Sequence, residues 1–194
     1  MPFNSAVCLS IGPEVVHAPA LPSRVLRDGD VLKLDIGLLY KGLCTDMAVT
    51  VAVGEVTARE KELIALTKEA MLAGIAKAVP GAWISDIGKT VDKMVRRAGF
   101  STVKDLTGHG VGHKVHEDPS VPNYFDPSYP PVKIVPGMVL AIEPMVNIGH
   151  EDVEVLADGW TVVTADGSTS AQFEVTIAVT EQGMEILTPV PLNV

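Results

Sequence analysis

The chain has 194 residues, enough for one well-buried domain or two small ones, and 47% of them are hydrophobic. Its net charge of −9, with no run of lysine or arginine, argues against nucleic acid as a main partner. No apolar stretch approaches the ~20 residues of a membrane span, and the first residues, MPFNSAVCLS, do not have the pattern of a secretory signal. Two cysteines, Cys8 and Cys44, are too few for a disulfide framework, so we expect a cytoplasmic protein.

The first predicted element is a β-hairpin. The segments VLKLDIGLLY (31–40) and LCTDMAVTVAV (43–53) are rich in strand-forming residues, and Lys41-Gly42 between them is a turn signal. Thr57 and Glu60 then have the spacing of a capping box. This predicts a helix over 57–79, ended by Pro80-Gly81.

A second helix is predicted over 85–98, and a proline-rich loop over 119–136, long enough to suggest a functional or partner-facing segment. Strands are predicted again at 138–148, 160–164 and 170–180. Strands before and after a helix pair favour an α+β fold with a largely antiparallel sheet. No composition shift marks a linker, so residues 1–194 are predicted to form one domain.

Asp35 and Asp46 lie in the two arms of the hairpin. If the turn centres on Lys41-Gly42, Asp35 is opposite Ala48 and Asp46 is opposite Gly37. A register shifted by two residues would place the aspartates directly opposite each other. In both registers the two carboxylates share one face of the sheet, which is destabilising unless a cation lies between them.

A solvated face is the alternative for this aspartate pair. Leu32, Leu34 and Ile36 alternate onto the other face, whereas Lys33 and Gly37 share the face of the aspartates. Alternation alone therefore allows the aspartate face to be exposed to water.

Two glutamates bear on whether the aspartate face is solvated or holds a cation. Glu143 lies within the apolar segment VLAIEPMV, and Glu174 lies within AQFEVTIAV. Burying an isolated carboxylate is very costly, so each needs a partner. A core-facing lysine or arginine is one possibility, but these strands contain no basic residue, which leaves a metal ion. Four carboxylates with an imidazole form an oxygen-rich site that suits Mn, Fe, Co or Zn, with two ions sharing bridging carboxylates.

Four segments resemble a known family. GHGVGHKVHEDP, AIEPMVN and SAQFEVTIAVT closely resemble the signature blocks of type I methionine aminopeptidases, and LDIGLLYKGLCTDMAV resembles the segment with that family's first two metal ligands. The blocks occur in the family's order, from about Ser5 to Thr188. The resemblance implies the pita-bread (creatinase/aminopeptidase) fold, in which helix pairs cover a curved antiparallel sheet.

The resemblance also implies residue roles. Asp35 would chelate one of two divalent ions, Asp46 and Glu174 would bridge both, and His109 and Glu143 would bind the second. Catalytic contacts with the substrate are implied for His17 and His116, and a methionine pocket is implied for Phe3, Cys8, Val115 and Trp160.

The implied reaction is removal of the N-terminal methionine from nascent proteins or peptides. A hydroxide bridging the two metal ions would attack the peptide bond, Glu143 would carry the proton to the leaving amine, and His116 would stabilise the oxyanion. A Xaa-Pro-type peptidase of the same fold is an alternative, and so is a non-catalytic pita-bread protein that binds ribosomes or other partners.

The sequence also departs from the family pattern. The family's N-terminal helices have no counterpart here, so we expect one of the usual two helix pairs and a homodimer that covers the bare sheet face. Val175 replaces a histidine that usually follows the last glutamate. His113 and His150 match no family function, and we expect both to be structural or exposed.

Overall fold

A computed structural model describes residue 3 and residues 5–189. In this part of the chain, all paired strands are antiparallel. The elements are β1 (Cys8–Ile11), β2 (Glu14–Val16), β3 (Val31–Tyr40), β4 (Leu43–Ala52), α1 (Ala58–Ile75), α2 (Ile84–Arg97), β5 (Ser101–Thr102), β6 (Thr107–Gly110), β7 (Glu117–Pro122), β8 (Val139–Ile142), β9 (Met145–Asn147), β10 (Val153–Val155), β11 (Val162–Thr164), β12 (Ser170–Gln172), β13 (Val175–Thr180) and β14 (Gly183–Ile186).

The predicted hairpin is confirmed in its first register. Asp35 pairs with Ala48 and Gly37 pairs with Asp46, so the shifted register is wrong. Lys41 and Gly42 have φ angles of 50° and 83° and form the tight turn between β3 and β4. The hairpin lies beside β1 in a three-stranded sheet of order β1-β3-β4.

Two of the later strands are broken where continuous strands were predicted. The segment 138–148 forms β8 and β9, with a break at Glu143-Pro144, and 170–180 forms β12 and β13, with a break around Glu174. Pro144 has no N–H to continue the ladder. At the first break the chain passes from the sheet β14-β13-β8-β6-β7 to the sheet β12-β9-β5, and at the second break it passes back. Both predicted metal-binding glutamates therefore lie at junctions between sheets.

Two helices pack against this framework. The capping box of Thr57 and Glu60 is confirmed, with both reciprocal bonds present. The helix α1 ends at Ile75, earlier than predicted, because residues 76–78 close into tighter turns. Neither α1 nor α2 has the length and apolarity to cross a bilayer within the described residues. The core between helices and strands includes Met71, Ile75, Ile87, Leu140, Ile142 and Ile177.

The predicted loop over 119–136 is wrong at its start. Residues up to Pro122 belong to β7, which pairs with β6. Gly88 of α2 lies against the end of this strand, because a Cβ at residue 88 would be 2.3 Å from the carbonyl oxygen of Tyr124 and 2.5 Å from that of Pro122. The contact requires glycine, since neither carbonyl belongs to a flexible side chain.

We expect Gly88→Ala to destabilise the protein by about 1–3 kcal/mol, because the added methyl group overpacks the contact between α2 and the backbone after β7. Urea unfolding of the metal-free protein measures this effect. The control is Lys93→Ala, an exposed position of the same helix, which should change the free energy of unfolding by less than about 0.5 kcal/mol. Equal stability of the Gly88 variant and the control would contradict the packing described here.

Candidate metal centre

The site is formed where β4 meets the segment between β12 and β13. Ala48 and Glu174 exchange two backbone hydrogen bonds, of 3.3 and 2.9 Å. A threonine on each side extends the contact, because its hydroxyl both accepts from and donates to the backbone of the other segment. The two pairs are Thr176 with Asp46 and Thr50 with Gln172.

These bonds bring the five predicted ligands together. One oxygen from each of Asp35, Asp46 and Glu174 lies within 4.8 Å of the others, and the same limit holds for ligand atoms of His109, Glu143 and Glu174. Exposed fractions are 7% for Asp46, 8% for Glu143 and 1% for Glu174. The fully solvated aspartate face is therefore wrong, because Asp46 is buried and Asp35 is half-buried at the base of a cavity.

The cluster contains several carboxylates and, among the residues described, no lysine or arginine partner for them. Burial raises the pKa of Asp35 to about 8 and that of Asp46 to about 6, and nearby carboxylates add to both shifts. Burial and the same neighbours raise the pKa of Glu174 well above its usual value. None of the lysine or arginine ion pairs found within residues 5–189 involves these carboxylates or Glu143, so a core-facing basic partner is also wrong.

The donor set fits divalent cations. The Oε1 atom of Glu174 is buried and has no hydrogen-bond partner in the protein, and it lies among other carboxylate oxygens and one imidazole. Such groups are ordinary ligands of Mn, Fe, Co and Zn. A bound cation would offset the repulsion that helps to raise the pKa values of Asp35, Asp46 and Glu174.

The ligand His109 is oriented by its backbone. Its Nδ1 atom lies 2.9 Å from the carbonyl oxygen of Gly110, and its Nε2 atom lies 3.3 Å from Glu143 Oε1. A proton on Nδ1 would leave the Nε2 lone pair directed into the site. Burial alone lowers the pKa of His109, but the contact with Glu143, the hydrogen bond to Gly110 and the charge of Asp46 together outweigh it, so the pKa is raised in the metal-free protein.

Two amides hold Glu143, and neither was identified by sequence reasoning. Gln172 Nε2 donates to the Glu143 carboxylate over 3.1 Å, and Asn123 Nδ2 donates to its backbone carbonyl over 3.0 Å. Both amides are buried. The position of Gln172 two residues before Glu174 was the available signal, but a buried amide is equally common as a core hydrogen-bonding residue.

A cavity of about 490 Å³ opens over the five ligands. Its walls include His17, His116, Phe3, Cys8 and Val115. Trp160 is not among the lining residues but packs edge-to-face against Phe3, with ring centroids 5.3 Å apart.

The protonation of the wall residues is set by their surroundings. The imidazole of His116 lies 4.3 Å from that of His109, between ring centroids. Partial burial and the charge of His109 lower the pKa of His116, and burial lowers that of His17. Burial and the nearby aspartates raise the pKa of Cys8 to about 12, so its thiol stays neutral.

Three other residues singled out from the sequence lie away from the ligands. Val175 is fully buried in the hydrophobic core beneath the helices, so it points away from the carboxylates. His113 is exposed, with Nδ1 3.2 Å from the carbonyl oxygen of Gly42, and His150 is exposed as well.

The raised carboxylate pKa values predict how pH affects the metal-free protein. Because Asp35, Asp46 and Glu174 hold protons more tightly when folded than when unfolded, these three carboxyls make stability fall as pH rises. The lowered pKa values of His17 and His116 act in the opposite direction, but two imidazoles are outnumbered by three carboxyls. We expect the free energy of unfolding to decrease between roughly pH 5 and pH 6, and Asp35→Asn to reduce that slope by at most about 1.4 kcal/mol per pH unit. Urea unfolding with a chelator present measures it.

The control is Asp166→Asn. Hydrogen bonds lower the pKa of Asp166 to about 2, so this carboxyl is ionised in both states across the same window. Its removal should leave the slope unchanged. The electrostatics described here would be contradicted if the free energy of unfolding of the wild type increased with pH in this window. They would also be contradicted if Asp35→Asn left the slope unaltered.

Comparison with known proteins agrees with this geometry. Residues 1–181 match the model of metallopeptidase family M24. Methionine aminopeptidase 1 of Bacillus subtilis is 46% identical over 97% of this chain and 75% of its own length. The crystal structure of methionine aminopeptidase from Thermotoga maritima superposes with a TM-score of 0.90, at 46% identity, over 94% of this chain and 73% of that one. A prolidase from Thermococcus sibiricus is more distant, with a TM-score of 0.76 and 25% identity over 97% of this chain and 46% of that one. The chain has the pita-bread fold with one helix pair in its described part, and it belongs to metallopeptidase family M24.

Proposed function

We propose that this protein is a metal-dependent aminopeptidase that removes the N-terminal methionine from nascent proteins and peptides, with residues 1–194 forming one catalytic domain. The observation that carries the proposal is the convergence of five ligand side chains beneath a cavity in a chain whose relatives are named methionine aminopeptidases. The family's metals are divalent, and we propose two ions per chain.

The ligands would divide between two positions. Asp35 would complete one position, His109 and Glu143 the other, and Asp46 and Glu174 would contribute to both. Glu174 shares one donor group with Asp35 and Asp46 and another with His109 and Glu143, and Asp46 also shares a donor group with His109 and His116. When bound, divalent cations of this kind polarise a carbonyl group and lower the pKa of water, which supplies the nucleophile and part of the oxyanion stabilisation.

The protein's own groups would move the protons. Glu143 combines a buried carboxylate with an amide donor from Gln172, so one oxygen is held while the carboxylate faces the cavity. We propose that it accepts a proton from water and delivers it to the leaving amine. A lowered pKa keeps His116 neutral near pH 7, so it would donate a hydrogen bond to the scissile carbonyl.

Recognition of the first residue would follow from cation coordination and shape. The free N-terminal amine of a substrate is a nitrogen donor that a divalent cation can bind, whereas the amide nitrogen of an internal peptide bond is not. Phe3, Cys8 and Val115 supply an apolar wall for the methionine side chain, with Trp160 supporting Phe3 from behind. His17, which has a φ of 60° and lines the same cavity, would contact the substrate near the scissile bond.

The test is hydrolysis of Met-Ala-Ser against an Ala-Pro peptide, with Mn, Co, Fe and Zn added in turn. We expect kcat/KM for Met-Ala-Ser to exceed that for Ala-Pro by at least about 100-fold, and Glu174→Gln to lose at least about 100-fold in activity together with cation uptake measured by calorimetry. Glu185→Gln, which changes an exposed glutamate on β14, is the control and should retain both.

Faster turnover of Ala-Pro would show a Xaa-Pro-type peptidase instead. A wild-type protein that takes up no cation and cleaves neither peptide would indicate a non-catalytic relative.

We further propose a cytoplasmic homodimer. The face of β3 and β4 opposite the aspartates presents Leu38, Tyr40 and Leu43 with exposed fractions of 57%, 72% and 57%. An apolar strip of this kind is unusual on a soluble monomer and would be covered by a second copy. The free thiols Cys8 and Cys44 are compatible with a reducing compartment.

Sedimentation at micromolar concentration tests the dimer. We expect twice the mass of one chain for the wild type, and a single-chain mass for the double variant Leu38→Lys/Leu43→Glu, because two charges would be buried in the interface. Leu187→Lys changes an exposed leucine outside this face and should remain dimeric. A wild-type monomer would contradict the proposal.

A further inference from the structure

A fully buried lysine lies next to the site and is not explained by the ligand set. Lys33 on β3 has an exposed fraction of 1% and is two residues from Asp35 on the same face of the sheet. Its Nζ atom donates to the carbonyl oxygens of Gly12, at 2.8 Å, and Ser170, at 3.0 Å. The charged groups that influence it are Glu14 and Arg24, which pair with each other.

A buried lysine at position 33 is unfavourable for stability. The desolvation of an ammonium group usually exceeds the free energy gained from two hydrogen bonds to carbonyl oxygens. Apolar residues of similar volume often replace buried charges without loss of stability. Burial lowers the pKa of Lys33 to about 7. Both the ammonium and the neutral amine have enough N–H groups for the two carbonyls, so the contacts exist in either form.

One of the two carbonyls belongs to the chain segment that leads to the ligand Glu174, and the other is hydrogen-bonded to that segment. Gly12 lies in the turn between β1 and β2, and its oxygen also accepts from the backbone N–H of Ser170 over 3.0 Å. Ser170 begins β12 and lies four residues before Glu174 on the same segment. Lys33 therefore joins the strand of Asp35 to the segment of Glu174.

Lys33 is the middle residue of a row of three buried polar side chains that crosses the sheet β1-β3-β4. Ser10, Lys33 and Thr50 are opposite one another on β1, β3 and β4, and all three are buried. Thr50 attaches β4 to Gln172, as described above, and Lys33 attaches β3 to Ser170. The segment before Glu174 is thus held from both strands that carry aspartate ligands.

We propose that Lys33 is a positioning residue for the metal centre, tying β3 to the segment before Glu174 and thereby fixing the separation of the Asp35 and Glu174 carboxylates. This inference rests on the proposed function, because it assumes that these two carboxylates share a cation. Residues that orient metal ligands typically alter cation affinity about 10–100-fold when they are replaced.

The experiment compares Co²⁺ binding by the wild type, Lys33→Met and Lys33→Leu. Calorimetry gives the Kd, and the visible absorption of bound Co²⁺ reports its coordination geometry. We expect both variants to bind Co²⁺ about 10–100-fold more weakly, with an altered spectrum. Titrations with trimethylamine N-oxide, which favours folded proteins, guard against partial unfolding.

The matched control is Thr67→Val. Thr67 is fully buried in α1 and donates to the carbonyl oxygen of Leu63 over 2.7 Å, so this variant also loses a buried hydrogen bond to the backbone, but in a helix that supplies no ligand. We expect it to lose stability while its Co²⁺ Kd stays within about twofold of the wild type.

The outcomes separate this inference from the proposed function. A wild type that binds no Co²⁺ would overturn both. A wild type that binds Co²⁺, with folded Lys33 variants of equal Kd and identical spectrum, would overturn the positioning role alone. Lys33 variants that fail to fold even with the osmolyte would show a general structural role and would likewise overturn it.

Discussion

The constraint on which the rest of the structure depends is the burial of four carboxylates in one place. Asp35, Asp46 and Glu174 have raised pKa values because water is excluded and because each lies near other acidic groups. In the part of the chain described, no lysine or arginine pairs with them, and among these carboxylates His109 forms an ion pair with Glu143 alone. Such repulsion is relieved either by protonation, which the raised pKa values report, or by a bound cation. The arrangement therefore indicates a metal centre more strongly than any one of its residues does.

The fold supplies this arrangement through interruptions in its sheets. A regular strand directs successive side chains to alternate faces, and a ladder that continued through Glu143 or Glu174 would fix each on one sheet. Instead, each glutamate lies where the chain leaves one sheet and enters another. The Ala48 contact with Glu174, with a threonine on either side, then connects one of these junctions to the hairpin. Local loss of ladder hydrogen bonds is thus offset by side-chain hydroxyls that satisfy the same backbone groups.

The sequence was sufficient for features with a local cause. The turn residues located the hairpin and left two registers, of which the structure has the first, and the capping box located the start of α1. The strand breaks were missed because an apolar run shows no difference between a continuous strand and two strands in different sheets; only Pro144 hinted at one of them. The roles of Gln172 and Lys33 depend on contacts between distant segments, which periodicity does not report. For the same reason, alternation alone left open a solvated aspartate face that the structure excludes.

A site of this kind lowers the stability of the metal-free fold. Each buried carboxylate and the buried Lys33 cost free energy in the metal-free chain, and the cavity above them removes packing contacts that a filled core would make. A cation that binds only the folded state stabilises it by about 2.7 kcal/mol at a free cation concentration 100 times its Kd, which offsets part of this free energy. Under the proposed function, folding and metal binding would therefore be coupled through the same five side chains. Substitutions that weaken the ligands should stabilise the metal-free chain while abolishing the stabilisation by metal, which distinguishes residues that bind the cation from residues that only support the core.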